Sequence, residues 1–247
     1  MKLAKISILN TYISNVTLDY GLEEVEKWLK GGVKKYKIFT PNPEIVVLGQ
    51  KDGPFEKIIN SADLALPDGS GLVWASKLLG TPLKERIAGV DFVQRLCGIC
   101  EQEGFTIGLI GGRVGVAVKT AECLQKMCPK LKITLVESWD PEISADKISE
   151  LHTKIDLLFV AYGQGKQEKW IAENLPKIPV KVAMGVGGAF DYISGTVPRA
   201  PKFMRDYGFE WLFRLVVQPW RIKRQVIGGR FFLLILREWV KKVTTLR

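Results

Sequence analysis

The sequence predicts an α/β protein: a Rossmann-like, open and mainly parallel sheet with helices on both faces, followed by a basic helical appendage. Short runs rich in β-branched residues alternate with longer amphipathic stretches, which is typical of parallel strands joined by helical crossovers. Composition changes near the glycine and prolines of residues 195–201. We therefore expect an α/β catalytic domain over residues 1–195 and an amphipathic appendage over residues 196–247.

Seven segments have the length and residue types of strands: residues 5–9, 36–39, 64–66, 106–110, 133–136, 157–160 and 180–184. Eight further segments have helical periodicity: residues 18–29, 43–48, 55–60, 71–79, 90–103, 114–127, 144–151 and 166–174. A chain of 247 residues, 47% of them hydrophobic, is long and apolar enough to build one large core. A single α/β domain with an appendage is the expected organisation.

Polar or glycine-rich loops follow five of the predicted strands. They are residues 40–44, 67–71, 111–115, 162–168 and 185–191. Because the carboxyl ends of parallel strands lie at one edge of a sheet, where ligands bind, we expect these loops to form one site.

Gly111, Gly112 and Arg113 belong to a glycine-rich turn from a strand into a helix. Free amides and the helix dipole at such a turn bind anions such as a diphosphate, but the same turn also allows close packing. The spacing is not GxGxxG, and Glu137 is the only acid at the end of the next strand. The pattern therefore disfavours a nicotinamide cofactor.

Single polar residues in the other loops have two interpretations each. Asp68 either deprotonates an acceptor hydroxyl or caps the next helix. Thr40 and Asn42 offer hydrogen bonds to a ligand, and Asn42 alternatively caps a helix. Arg86 either binds phosphate oxygens or lies on the surface, and Gln167 either lines the site or caps a helix. Residue types alone leave these alternatives open.

The sequence predicts no metal site and no cofactor. Cys97 and Cys100 form a CxxC, but they and Cys123 and Cys128 fall in or beside predicted helices, where thiols pack as small apolar groups. A zinc-binding CxxC usually lies on a turn. The chain also contains no DxD that would hold a divalent ion against a nucleotide diphosphate.

The appendage carries most of the net charge of +10, because it contains 12 Lys/Arg against three acids and nine of the 24 aromatic residues. Cationic groups attract anionic lipid, tryptophans favour the water–lipid boundary, and the apolar run at 231–236 enters the acyl region. A nucleic-acid surface and simple packing on the domain are the alternatives. Aliphatic side chains offer little to a nucleotide, so we expect an anionic membrane surface and no nucleic acid as partner.

No segment approaches the ~20 apolar residues that cross a bilayer, and the first residues lack the long apolar core of a signal peptide. We expect a peripheral protein at the cytoplasmic face of the plasma membrane. A homo-oligomer is left open.

Several motifs together resemble the WecG/TagA/CpsF glycosyltransferases. They are TPNPE at 40–44, LPDGSG at 66–71, ERIAGVDF at 85–92, GKQE at 165–168, GVGGAFD at 185–191, RAP at 199–201 and EWLFRL at 210–215, followed by Pro219, Arg221 and Arg224. The resemblance covers essentially the whole chain. Gly165, where proline is frequent, and Ser194, where alanine is common, are small departures.

The resemblance implies the GT-E fold type and inverting transfer of a sugar from a UDP donor to undecaprenyl-diphosphate-linked N-acetylglucosamine. In the TagA branch the sugar is N-acetylmannosamine, joined β-(1,4) in wall teichoic acid synthesis; in the WecG branch it is N-acetylmannosaminuronic acid. No motif separates the two branches, and we expect the former. A nucleotide-binding oxidoreductase and a non-catalytic, membrane-recruited binding protein are the alternatives.

The resemblance also implies roles for particular residues. Asp68 matches the proposed base, Arg86 and Gln167 match polar positions of the pocket, and Thr40 and Asn42 match acceptor-side residues. The nucleotide is expected at Gly185, Val186, Gly187, Gly188 and Asp191, with Gly111, Gly112 and Arg113 nearby. The appendage residues Arg214, Arg221 and Arg224 are expected to close over the diphosphate.

Overall fold

The computed structural model describes residues 3–151 and 153–245, without the side chains of residues 206, 221, 223–225 and 245. It confirms the α/β class. Six strands form one parallel sheet, and two others form a separate antiparallel hairpin.

The strands are β1 (Lys5–Ile8), β2 (Thr11–Ser14), β3 (Tyr36–Phe39), β4 (Leu64–Ala65), β5 (Thr106–Gly111), β6 (Lys132–Glu137), β7 (Ile155–Ala161) and β8 (Val180–Gly185). The parallel sheet has the order β4-β3-β8-β7-β5-β6. Strand β7 is buried along its whole length, as expected for the middle of a covered parallel sheet. Because β4, β3 and β8 are neighbours, the loops that follow them meet at one corner of the sheet edge.

The helices of the domain are α1 (Leu18–Lys30), α2 (Pro43–Lys51), α3 (Gly53–Asn60), α4 (Ser70–Leu78), α5 (Gly89–Glu103), α6 (Val116–Met127), α7 (Pro141–Glu150), α8 (Lys166–Asn174) and α9 (Ala189–Ile193). Side chains of Thr17, Asn42, Asp52 and Asp140 cap α1, α2, α3 and α7, and proline follows the cap in the last three. These starts therefore follow ordinary capping chemistry.

The sheet has a hydrophobic core on each face. Helices α1, α5, α6 and α9 cover one face, and α2, α3, α7 and α8 cover the other. The prediction of helices on both faces is confirmed.

The amino-terminal hairpin corrects one assignment. Residues 5–9 were expected in the parallel sheet. In the described structure, β1 instead forms a two-stranded sheet with β2, a strand that the sequence pattern did not predict. The two-residue turn between them places Leu9 at φ 47° and Asn10 at φ 59°. Both angles are left-handed, as in a type I′ turn, and leucine is an unusual residue there. The common glycine signal of such a turn is absent.

The appendage comprises α10 (Lys202–Asp206), α11 (Glu210–Val217), a 3₁₀ turn (Pro219–Arg221) and α12 (Ile222–Thr245). One stripe of α12 packs on the domain, where Phe231 and Ile235 are fully buried against Ile8, Ile13 and Val46. The rest of the helix is largely exposed, including Leu233 at 64%. No helix within the described chain is both long and apolar enough to cross a bilayer.

Replacing Phe231 by alanine should detach α12. We expect the free energy of unfolding to fall by about 3 kcal/mol or more, because removing a buried phenylalanine costs ~3–5 kcal/mol. Protease cleavage in the appendage should also become faster. Urea denaturation and limited proteolysis measure both effects. Leu233→Ala on the exposed side of α12 is the control, with a change within about 0.5 kcal/mol. Equal losses in the two variants would contradict the packing described.

Candidate active site

A cavity of about 410 Å³ lies at the corner where β3, β4 and β8 end. The loops after these strands and the start of α5 form one wall. The appendage forms the opposite wall, through Glu210, Trp211 and Arg214 of α11 and Gly229 and Phe232 of α12. The cavity therefore exists only where domain and appendage meet.

Backbone hydrogen bonds fix Asp68 in this cleft. Its amide donates to the carbonyl of Pro41 at 3.0 Å, and the amide of Ile87 donates to the carbonyl of Pro67 at 2.9 Å. The Asp68 carboxylate accepts a hydrogen bond from the amide of Gly89, the first residue of α5. Helix α4 has no side-chain cap, so the alternative that Asp68 caps it is wrong.

The environment raises the pKa of Asp68 to about 6. Burial is the largest cause, and the carboxylate of Glu210 adds to it; Arg86, Arg214 and the Gly89 amide act in the opposite direction. Asp68 is therefore mainly ionised near neutral pH yet basic enough to accept a proton, which suits a general base.

Arg86 joins the domain to the appendage. Its Nη2 lies 3.0 Å from Oε2 of Glu210, and its Nη1 donates to the carbonyl of Arg205 at 3.0 Å. Both ion-pair partners are about one-fifth exposed, so the pair is partly shielded from water. Arg86 therefore lines the cleft, and the alternative of a fully exposed surface arginine is wrong.

Arg214 is a cation of the cleft wall with incomplete hydrogen bonding. Its guanidinium lies 4.4 Å from the centre of the Tyr192 ring, and its Nη2 lies so close to Gly188 that a side chain there would collide with it. Both Nε and Nη2 are buried and have no hydrogen-bond partner among the described groups. Burying such donors without a partner costs free energy. An anion bound in the cleft would accept their hydrogen bonds and offset that cost.

Arg199 anchors the start of the appendage. Its Nη1 and Nη2 donate to the two carboxylate oxygens of Asp91 at 2.5 and 2.6 Å. Burial acts to raise the pKa of Asp91, but the hydrogen bonds and charge of Arg199, together with the charges of Arg205 and Arg86, lower that pKa overall. Ser70 Oγ adds a second attachment by donating to the carbonyl of Gly208 at 3.1 Å.

Gln167 is buried behind the cleft and does not line it. Its Oε1 accepts from the amide of Gly187 at 2.9 Å, and its Nε2 donates to Oε1 of Glu168 at 2.8 Å. Glu168 in turn accepts from the amide of Gly165 at 2.6 Å. Gln167 therefore holds the 185–188 loop in place. The resemblance implied a position on the pocket wall, and the structure instead places Gln167 behind that wall.

The two acceptor-side candidates differ in position. Asn42 lines the cavity, while its Oδ1 accepts from the amide of Ile45 at 3.1 Å and caps α2. Thr40 is buried beside the cavity, and its Oγ1 donates to the carbonyl of Gly185 at 3.4 Å. The interpretation of Asn42 as a helix cap is confirmed. The same residue also lines the cleft.

The two glycine loops are neighbours, but only one reaches the cavity. Val186 and Gly188 line it. Gly111 and Gly112, both with left-handed φ, lie farther along the sheet edge, after β5. Arg113 and Asp191 connect the two loops through an ion pair of 3.2 Å, which is outside the cavity wall. The side chains of Arg221 and Arg224 lie outside the described part of the structure.

The four cysteines are free thiols that pack in or against the hydrophobic core. Cys97, Cys100 and Cys128 are buried, and burial raises the pKa of Cys100 to about 12. Within the described residues, no group of three His, Cys, Asp or Glu side chains is placed to hold a metal ion.

Several residues of the cleft wall were not assigned from the sequence, including Glu44, Tyr192, Glu210 and Trp211. Glu210 and Trp211 begin the EWLFRL motif, which offered a signal, but Glu210 pairs with Arg86, which is 124 positions away in the chain. Local pattern gives no means of pairing such residues.

Comparison with known proteins gives a family match over nearly the whole chain. The family described as "Glycosyl transferase WecG/TagA/CpsF family" matches residues 6–245. Relatives named N-acetylglucosaminyldiphosphoundecaprenol N-acetyl-beta-D-mannosaminyltransferase occur in Bacillus subtilis strain 168 and Staphylococcus aureus strain MRSA252. The first is 34% identical over 84% of this chain and 81% of its own length. The second is 30% identical over 90% and 88%.

Two opposite charge changes should move the pKa of Asp68 in opposite directions. Glu210→Gln should lower it, because a neighbouring negative charge is lost, and Arg214→Gln should raise it, because a positive charge is lost. Titration of the Asp68 carboxyl carbon by NMR measures both shifts, with the exposed Glu173→Gln as control. Shifts of the same sign in both variants would contradict the charge cluster.

Proposed function

The chain belongs to the WecG/TagA/CpsF family of glycosyltransferases, and on that premise we propose that it transfers N-acetylmannosamine from UDP-N-acetylmannosamine to undecaprenyl-diphosphate-linked N-acetylglucosamine. The product is the β-(1,4)-linked, lipid-borne disaccharide of wall teichoic acid synthesis. The names of the relatives support the sugar and the acceptor. The observation that carries the proposal is the position of Asp68, a carboxylate of raised pKa, in one cleft with Arg214, two of whose nitrogens have no hydrogen-bond partner among the described groups.

Asp68 is the proposed base. Its carboxylate accepts the proton of the acceptor's C4 hydroxyl while that oxygen attacks the anomeric carbon of the donor. The bond from the anomeric carbon to the UDP oxygen breaks, and UDP leaves with the bonding electrons. Attack from the face opposite to UDP inverts the configuration and gives the β-linkage.

The appendage supplies charge for the leaving group. Negative charge grows on the UDP diphosphate as the bond breaks, and preorganised donors stabilise it. Arg214 brings two unpaired nitrogen donors to the Gly188 loop, where we place the nucleotide. Arg86 would also contact the diphosphate if the diphosphate displaced Glu210 from its ion pair with Arg86. We propose that these cations make a divalent metal unnecessary, and that Arg221 and Arg224 contact the same diphosphate.

The outer surface of the appendage fits an anionic membrane. Trp220 is 71% exposed, Tyr207 77% and Phe203 64%, and basic residues accompany them. Aromatic and cationic residues side by side are typical of proteins that lie in the headgroup region. We propose peripheral attachment at the cytoplasmic face, which would bring the cleft to its lipid-linked acceptor.

The decisive experiment is analysis of products by mass spectrometry. A water-soluble lipid-diphosphate-N-acetylglucosamine analogue is incubated with UDP-N-acetylmannosamine, UDP-N-acetylmannosaminuronic acid and UDP-N-acetylglucosamine in competition. We expect one N-acetylhexosamine to be added, and NMR of the product to show β-linked N-acetylmannosamine. Asp68→Asn should lower turnover by about 100-fold or more, the usual scale of general base catalysis, with a melting temperature that is equal or higher. Transfer of the uronic acid, or normal turnover by Asp68→Asn, would contradict the proposal.

Metal independence is tested by a chelator. We expect transfer to be unchanged in excess EDTA, because arginines meet the charge of the diphosphate. The control is the same assay after addition of Mg²⁺ or Mn²⁺. Loss of turnover in EDTA that either ion restores would show that the arginines do not suffice.

A further inference from the structure

A second concave surface, the α2/α12 groove, lies between these two helices and has a volume of about 810 Å³. Its apolar lining consists of Val47, Leu233, Leu234, Leu236 and Val240. Its basic lining consists of Lys51, Arg230, Arg237 and Lys241. The groove thus combines a long apolar floor with four cationic side chains.

The α2/α12 groove is separate from the active-site cleft. The cleft is lined by Gly228, Gly229 and Phe232 of α12. The groove is lined by other residues of the same helix, between Arg230 and Lys241. No residue lines both surfaces, and at 100° per residue the centres of the two sets lie about 120° apart around α12. A ligand of the groove would therefore not occupy the catalytic cavity.

The charge of the groove is not neutralised internally. Lys241 lies 3.7 Å from Glu238 of the same helix. Lys51, Arg230 and Arg237 have no ion-pair partner among the side chains that the structure describes. Three cations therefore remain for an anionic ligand.

The apolar floor is open to solvent, with Leu233 64% and Val240 50% exposed. Exposed apolar patches of this kind usually mark a binding site, because contact of aliphatic side chains with water is unfavourable. Free phosphate would match the cations and leave the aliphatic side chains uncovered. A neutral hydrocarbon chain would do the reverse.

We propose that the α2/α12 groove binds one molecule of an anionic phospholipid. One acyl chain lies along the aliphatic floor, and the phosphate contacts Arg230, Arg237 and Lys51. This is a discrete site, in contrast to general attraction of the appendage to a charged surface. The bound lipid would link α12 to α2, and so support the helix that places Phe232 on the cleft wall. The inference does not depend on which sugar is transferred.

The test uses dihexanoyl-phosphatidylglycerol, below the concentration at which it forms micelles, with the full chain. Native mass spectrometry and isothermal titration calorimetry measure stoichiometry and affinity. We expect saturable binding of one molecule, and weak or absent binding of dihexanoyl-phosphatidylcholine. Inorganic phosphate and geranyl phosphate should not displace the lipid.

Two variants separate charge from shape. Arg230→Gln with Arg237→Gln should weaken binding by about tenfold or more, because two cations near the phosphate are lost. Leu233→Trp should also weaken it by filling the groove, while liposome binding persists because no charge is removed. The double variant Lys119→Gln and Lys126→Gln, on the exposed face of α6, matches the charge loss and should bind normally.

Three results would overturn the proposal. Equal weakening in the α6 control would show diffuse electrostatic attraction. Equal affinity for phosphatidylcholine would remove the role of the cations. Displacement by geranyl phosphate would assign the groove to the prenyl chain of the acceptor. None of these measurements requires sugar transfer, so failure here is distinguishable from failure of the catalytic proposal.

Discussion

The central constraint on the candidate active site is that one carboxylate, Asp68, must remain ionisable in a partly buried cleft. Burial and the nearby Glu210 oppose its charge, whereas Arg86, Arg214 and the Gly89 amide favour it. Of the three charged side chains around Asp68, Glu210 and Arg214 belong to the appendage and Arg86 belongs to the domain. The electrostatic setting of Asp68 is therefore complete only when the appendage is docked. The appendage packs against the loops that end β3, β4 and β8 and so contributes to the environment of this carboxylate.

Docking of the appendage uses two different kinds of interaction at its two ends. The bidentate Arg199–Asp91 ion pair fixes the start near α5, and the buried side chains of Phe231 and Ile235 fix α12 on the hairpin and α2. Helix α11, which carries Glu210 and Arg214, lies between these attachments in the chain. The Arg214 guanidinium packs against the Tyr192 ring and the Gly188 backbone, and its Nε and Nη2 have no hydrogen-bond partner among the described groups. Such preorganisation is what stabilisation of a developing diphosphate charge requires.

The sequence predicted the elements well where the relevant physics is local. Asn42 followed by proline at the start of α2 is a capping signal, and the loops that contain Asp68 and Gly188 follow recognisable buried strands. The β1–β2 turn was missed because Leu9 adopts a left-handed conformation without glycine. Gln167 was assigned to the pocket wall, but its amide is directed at Gly187, a contact set by the packing of α8 beside β8. The pairing of Arg86 with Glu210 joins residues far apart in the chain, and no local periodicity encodes it.

Helix α12 connects the chemistry to the lipid surface through its separate faces. Its buried stripe attaches it to the domain, one flank contributes Phe232 to the cleft, and the other flank lines the α2/α12 groove. A shift of α12 would alter both flanks together, because a helix moves as a rigid element. Lipid bound in the groove would therefore stabilise the docked position of α12, and the docked position would strengthen lipid binding by the same free energy. On the proposed mechanism, this reciprocity makes the membrane more than a place of attachment: it biases the protein toward the arrangement in which Arg214 and Asp68 share one cavity. Donor hydrolysis away from the membrane would be disfavoured for the same reason, since a displaced appendage removes Arg214 from the leaving diphosphate.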